Sequence, residues 1–410
     1  MIVTQSRHIW ALSKLASFFN DQKFTDYAFH GFKFLNQKMW DKIFGGFFNI
    51  RSRDGEQTDF NNYFDEKRTY GNAFAIYGLS ALYEITHDPN VLELAKQTYK
   101  WIEEKSFDKK NNGYFQFLTR EGKPFNLHSD YKSKAVDKNE VGFKDQNSSI
   151  HLLEAYTELY KNWKSDELKN SLENILIVIR DSMIDSKGYL RLFFNDELKP
   201  YSAEKINSEI TAEEFALDHI SFGHNYETSY LMLEASFTLG IENDIRTLQI
   251  AKKMLDHAIK YGWDYHAGGF FDAGFYFENE NQYRIIKQTK VWWAQAEALN
   301  VLLLFSYIFR EEKIYEELFY EQWEYIKRYL IDYKFGDWYW GSLEKEPFYK
   351  YEPKANIWKC TYHTGRALMN CIKMLSLESK NKLIDTVLFD EELEKISHFI
   401  NHWRLVSKII

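Results

Sequence analysis

The stretch Gly268-Gly-Phe-Phe271 stands between two long amphipathic segments, and near-copies of it punctuate the whole chain. They are Gly45-Gly-Phe-Phe48, Asn112-Gly-Tyr-Phe115, Lys187-Gly-Tyr-Leu190 and Gly336-Asp-Trp-Tyr-Trp-Gly341. Each follows a pair of segments in which apolar residues recur at i, i+3, i+4 and i+7, the period of a helix with one buried face. The spacing predicts helix pairs at about 5–20 with 24–40, 70–86 with 90–104, 146–162 with 166–182, 222–239 with 243–260, and 290–309 with 313–331. A sixth pair, about 360–376 with 387–405, ends the chain.

Six helical hairpins at a period near 70 residues fit either an open solenoid or a closed double ring. A solenoid leaves an apolar face at each end unless a polar repeat caps it, and neither terminal hairpin is unusually polar. The expected fold is therefore all-α, an (α/α)6 barrel. The first helix of each pair, rich in Ala, Leu, Ile and aromatics, forms the inner ring; the second, richer in Lys, Glu and Asp, forms the outer one. Five prolines in 410 residues suit a helical chain. No linker or low-complexity segment interrupts it, so residues 1–410 are expected to be a single catalytic domain.

Composition narrows the function. Aromatics reach 18%, with 12 Trp, 28 Tyr and 33 Phe, more than a core needs, and flat rings with a polar edge suit sugar faces. A net charge of −8 without a basic cluster disfavours nucleic acid. Cys360 and Cys371 lie in one helical segment and make neither a disulfide framework nor a metal quartet. The first ten residues lack the pattern of a signal peptide. The longest apolar run, Ala298 to Phe309, falls short of the roughly 20 residues that span a bilayer. The expectation is a soluble cytoplasmic protein with no membrane partner.

Polar residues that break the helical pattern collect where inner helices start, the end at which a helical ring leaves a cavity. They are Gln5 and Arg7; Tyr70 and Asn72; Asn147 and His151; His224 and Glu227; Trp292, Trp293, Gln295 and Glu297; and Trp358 with His363. His151, His224 and His363 hold equivalent places in three repeats, each about one turn before an apolar run. Imidazoles titrate near neutral pH, so they suit the removal and return of a proton beside a sugar carbonyl. A glycoside hydrolase would instead use two facing carboxylates, for which Glu227 and Glu297 are the candidates. A metal could be held by His224 and Glu227, three apart on one helix face, but only with His151 and His363 as further ligands and no Asp or Cys beside them. No metal is expected.

These residues resemble the cellobiose 2-epimerases, within the wider N-acylglucosamine 2-epimerase family. The likeness runs through Gln5-Ser-Arg-His-Ile-Trp10, Tyr70-Gly-Asn-Ala-Phe-Ala-Ile-Tyr77, His151-Leu-Leu-Glu-Ala-Tyr-Thr157, Ser221-Phe-Gly-His-Asn-Tyr-Glu227, Trp292-Trp-Ala-Gln-Ala-Glu-Ala298 and Trp358-Lys-Cys-Thr-Tyr-His-Thr-Gly-Arg366. It implies an (α/α)6 barrel that converts the reducing-end glucose of a β-1,4-linked disaccharide to mannose, with no cofactor. Carried over by position, His363 and His224 become the acid/base pair acting at C2 through an enediol. His151 becomes the third histidine, and Arg7 the cation on the carbonyl oxygens. Glu227 would orient His224. Tyr70, Asn147, Glu227, Trp293, Glu297 and Trp358 would bind the sugar.

The chain departs from the family pattern at Thr361, where Pro is usual, at Thr364 for Asn, at Asn225 for Asp, and at Tyr230 for Trp. The acid/base set survives; the preferred sugar stays open. Alternatives are an aldose–ketose isomerase or N-acylglucosamine 2-epimerase of the same group, an (α/α)6 glycoside hydrolase, and a sugar binder without catalysis. The implied partner is a small mono- or disaccharide, with a monomer or homodimer as the assembly. Family members carry an outer helix ahead of the arginine helix, whereas this chain begins almost on Arg7. An apolar stripe of Leu393, Ile396, Phe399, Ile400 and Trp403 predicts that 386–405 forms a C-terminal outer helix closing the ring.

Overall fold

The computed structural model describes residues 1–203, 210–277, 282–377 and 390–410. Its contacts divide the chain into two compact units. The first comprises Met1–Ile184, Arg191–Ala203 and Thr211–Asp218; the second includes Asp185–Leu190 and His219–Ile410.

In the first unit three hairpins pair α1 (Ile2–Phe19) with α2 (Gln22–Phe34), α3 (Thr69–Thr86) with α4 (Pro89–Lys105), and α5 (Gln146–Asn162) with α6 (Asp166–Val178), followed by the short α7 (Ala212–Leu217). Helix α3 packs between α1 and α5, and every residue from Thr69 to Leu82 is buried. Its partner α4 buries one stripe only, Val91, Leu94, Ala95, Thr98, Tyr99, Trp101 and Ile102, the i, i+3, i+4 pattern of a helix with one face on a core. The starts are set locally: Asp88 accepts from the Asn90 amide with Pro89 in the first turn, and Ser165 accepts from Leu168. Lys14 of α1 reaches Glu84 of α3 and Glu158 of α5, tying the three inner helices.

The second unit repeats the plan with α8 (Phe222–Leu239) and α9 (Ile245–Gly262), α10 (Trp292–Ile308) and α11 (Ile314–Tyr329), and α12 (Tyr362–Ser376) and α13 (Asp390–Ser407). Helix α10 lies between α8 and α12. Within the described residues all twelve segments expected from the apolar period are helices, with ends shifted by a few residues; α2 and α6 finish in π-turns at Leu35–Met39 and Ile179–Met183. Among the described residues no helix is long and apolar enough to cross a membrane.

Three of the aromatic-glycine turns, those at Gly45, Asn112 and Gly268, are sharp reversals that hold a buried lysine. Gly45 and Gly46 both have positive φ, and a Cβ on Gly46 would lie 2.6 Å from the Trp101 ring, so only glycine fits. Two-residue strands bring the chain back: β1 (Lys67–Arg68) pairs with β2 (Phe117–Leu118), and β3 (Lys144–Asp145) with β4 (Phe193–Phe194). In the second unit β5 (Ile220–Ser221), β6 (Ala273–Phe277) and β7 (Gln282–Lys287) form one antiparallel sheet.

Lys67, Lys144 and Lys290 each stand two residues before an inner helix, with side chains wholly buried. Lys67 Nζ lies 3.0 Å from Asp41, Lys144 Nζ 2.8 Å from Asp108, and Lys290 Nζ 2.8 Å from Asp264. Each also donates to a carbonyl of the turn, those of Gly45, Asn112 and Gly268. Burial pushes the Asp41 carboxyl up, but hydrogen bonds from Arg120, the Ile43 amide and Lys67 outweigh it and hold it at about 2.

Asn72 and Gln295, expected to face a cavity, instead grip these turns. Asn72 Oδ1 accepts from the Phe47 amide at 2.7 Å, and Gln295 Oε1 from the Phe270 amide at 2.9 Å. Amide side chains do this because they pair with a peptide group as a strand does. Asn225 accepts from Leu190 in the same way.

Of the C-terminal segment, 386–389 lie outside the described residues. Helix α13 packs against α9, α10 and α12, burying Phe399, Ile400, Trp403 and Val406. Arg404 and Ser407 donate to the carbonyls of Tyr307 and Ile308 at the end of α10.

Two substitutions test these contacts by urea denaturation. Trp403→Ala removes a fully buried side chain and should cost about 3–5 kcal/mol. Lys290→Met leaves the Asp264 carboxylate without its buried cation and should cost about 3 kcal/mol or more.

Candidate functional site

In the second unit the first turns of α8, α10 and α12 bring the expected residues together. Trp293 is central: its ring centroid is 4.8 Å from that of His224 and 5.5 Å from that of His363. Gly223 allows this approach, since a Cβ there would come within 2.4 Å of the indole. His363 is the second residue of α12, and its Nδ1 lies 2.7 Å from Glu297 Oε1. An ionised carboxylate only accepts, so Nδ1 carries the hydrogen and Nε2 is the nitrogen at which a proton can be gained or lost. His224 Nδ1 lies 2.8 Å from the Ser221 hydroxyl.

Glu227, expected to orient His224, meets other partners. Its Oε1 accepts from Arg366 Nη2 at 2.6 Å and is 3.8 Å from His363 Nδ1. The same Arg366 nitrogen donates to Glu297 Oε1 at 2.6 Å, and Arg366 Nη1 to the Tyr362 hydroxyl at 2.6 Å. Both carboxylates and the guanidinium are almost fully buried. Glu227, Glu297 and His363 are close enough together to hold a cation, but the Arg366 guanidinium occupies the position between the carboxylates and supplies that positive charge. The cluster is thus a salt-bridge network built around an imidazole.

The first unit holds a second group. Arg7 Nη2 donates to the Tyr70 hydroxyl at 2.9 Å, and its guanidinium lies 4.3 Å over the Phe74 ring. The His151 ring packs 5.2 Å from Tyr70 and 4.6 Å from Phe74. His151 Nδ1 is 2.8 Å from Glu154 Oε2, which fixes its tautomer as Glu297 does for His363. Asn147, one turn earlier on α5, keeps a buried carbonyl oxygen with no hydrogen bond in the protein. Burial pushes the Asp145 carboxyl, at the cap of α5, upward against hydrogen bonds from Ser148.

Trp358 lies in the loop ahead of α12 and is 38% exposed, the most open of the expected site residues. Beside the cluster, burial pushes the Cys371 thiol up, helped by Glu297, so it stays protonated. Cys360 and Cys371 are both free.

Sequence alone assigns no role to three contributors, Glu154, Ser221 and Arg366. Their signal was positional. Glu154, Glu227 and Arg366 each stand three residues after a repeat's histidine, the offset that places two side chains on one helix face. Ser221 stands three before His224.

The comparisons with known proteins agree along the chain. The family model for N-acylglucosamine 2-epimerase (GlcNAc 2-epimerase) matches residues 1–367. A cellobiose 2-epimerase of Dictyoglomus turgidum is 30% identical over 384 residues, covering 91% of this chain and 87% of that one. The solved structure of a cellobiose 2-epimerase from Bacillus thermoamylovorans superposes with a TM-score of 0.75 at 25% identity, over 91% of this chain and 87% of that one. A D-mannose isomerase structure, at 20% identity and a TM-score of 0.74 over 91% and 87%, shares the fold. The fold class is all-α, that of the (α/α)6 barrels. With the family model spanning most of its length, the chain belongs to the N-acylglucosamine 2-epimerase family and is a sugar epimerase of the isomerase class.

Proposed function

We propose that this enzyme epimerises, at C2, the reducing-end glucose of a β-1,4-linked disaccharide of the cellobiose type, giving mannose. The observation that carries this reading is the pair of imidazoles, His224 and His363, flanking one indole, with His363 held by Glu297. In the open-chain sugar the C2–H bond is acidified by the C1 carbonyl. One imidazole takes the C2 proton as base. The bonding pair forms C1=C2, and the carbonyl electrons move to O1, giving an enediolate, the conjugate base of the enediol. The other imidazole then protonates C2 from the opposite face as the C1 carbonyl re-forms, so configuration inverts and no redox partner is needed.

The aromatic surroundings supply binding. Trp293 and the partly exposed Trp358 provide flat faces for the pyranose rings. Glu227 and Glu297 support the cluster from beneath. By the family resemblance Arg7 is the fixed cation for oxygen charge that develops in the enediol, His151 assists ring opening, and Tyr70 and Asn147 bind sugar hydroxyls. The carboxylates fit a hydrolase poorly. Glu227 and Glu297 accept from one guanidinium nitrogen, which fills the space between them where glycoside cleavage requires the scissile bond.

Incubation with cellobiose, lactose, mannose and N-acetylglucosamine in heavy water, followed by NMR, tests this reading. Deuterium should appear at C2 of an epimerised disaccharide; epimerisation without exchange would exclude the proton-transfer mechanism. A ketose as main product would mark an aldose–ketose isomerase, in which the proton returns to C1, and release of monosaccharides a hydrolase. His363→Ala should lower kcat about 10²–10⁴-fold, whereas a simple sugar binder would retain its full function. Glu297→Gln, which can no longer hold Nδ1–H as a carboxylate does, should lower kcat more than it raises KM in steady-state assays.

A further inference from the structure

One arginine, Arg366, joins both carboxylates of the His363 cluster through a single nitrogen. Its other terminal nitrogen is held by Tyr362, and its guanidinium lies 4.6 Å from the centroid of that ring. This geometry fixes a charge balance. Two buried carboxylates against one guanidinium leave one net negative charge beside His363, about what one imidazolium neutralises. Remove the guanidinium and two negative charges face the imidazole in a site with little water, where like charges interact strongly.

We propose that Arg366 is a positioning residue that sets the charge around His363, so that the imidazole can both release and take up a proton during turnover. The inference rests on the proposed acid/base role of His363 and adds the residue that regulates it.

The other groups around His363 do not supply this balance. From α10 come Glu297 and the uncharged Trp293; from α8 come Glu227, His224 and Tyr226, whose hydroxyl burial keeps protonated. On α12 itself stand Tyr362 and the protonated Cys371. Lys359, ahead of the helix, spends its charge on Asp337 at 2.8 Å. Towards α13, Lys373 pairs with Glu392. Among the described residues Arg366 is the cation seen to touch both carboxylates.

The sign follows from the charge. Extra negative charge favours the imidazolium, raises the pKa of His363 and removes the neutral base at low pH. In Arg366→Met the acid limb of the kcat/KM–pH profile should move up by about one unit, giving roughly tenfold loss at pH 6 with recovery above about pH 8. Arg366→Lys should keep the limb near its wild-type place. The double variant Arg366→Met/Glu227→Gln, with its charge restored, should return it. Glu227→Gln alone should move it down, and it serves if Arg366→Met fails to fold.

The His363 Cε1–H titration, followed by NMR in the same variants, should move in parallel and needs no turnover. A folded Arg366→Met protein whose acid limb and His363 titration stay at the wild-type positions overturns the proposal, as does an unmoved limb in Glu227→Gln. A wild-type enzyme that fails to exchange the C2 hydrogen of any tested sugar would instead reject the epimerase mechanism, while the NMR titration would still decide the charge role of Arg366.

Discussion

A lysine side chain buried to zero exposure, set two residues before an inner helix and ion-paired to an aspartate in the turn of the preceding hairpin, is the constraint on which the rest depends. An ammonium out of water is costly unless it is paired and its hydrogens are satisfied. Lys67, Lys144 and Lys290 meet that condition in one arrangement only, with the turn carbonyl and the aspartate both in reach. The clip leaves little freedom in where the next helix begins. Asn72 and Gln295 strengthen it by gripping the aromatic residue of the same turn from the helix side.

What the clip positions is the first turn of α3, α5 and α10. On the last, Trp293 and Glu297 follow Lys290 by one and two turns of chain, so the histidine they flank inherits the precision of the buried ion pair. Helix α12 has its own version, with Lys359 paired to Asp337 and Lys354 to Asp332. The repeats differ above a similar scaffold. At the position one turn beyond the histidine, Glu154 and Glu227 are anions, and in the last repeat Arg366 is a cation. That exchange of sign turns what would be mutual repulsion between Glu227 and Glu297 into a bridged network under His363.

The hairpins were legible because the apolar period and the glycine turns are local properties of the chain: a helix with one buried face shows its period, and glycine stands where a positive φ leaves no room for a Cβ, as at Gly46 against the Trp101 ring. The histidines were legible because they recur at one offset. The roles of polar side chains were less so. Asn72 and Gln295 carry the same residue types at the same helix starts as sugar-binding groups do, and only contacts reveal that they turn towards backbone. By helix face alone, Glu227 belongs with His224, its neighbour three residues away on α8. A helix-face argument sees partners on its own helix, and Arg366, 139 residues away in sequence, was outside its reach.

The sequence by itself determined the helical hairpins, their number, the glycine turns and the imidazoles at the inner helix starts, since each is written in the spacing of neighbouring residues. Tertiary structure decided which carboxylate meets which imidazole, that a guanidinium stands where a metal would otherwise fit, and that buried lysines clip the turns. Those outcomes depend on distances between residues far apart in the chain and on the cost of an unpaired charge away from water, neither of which a local pattern encodes.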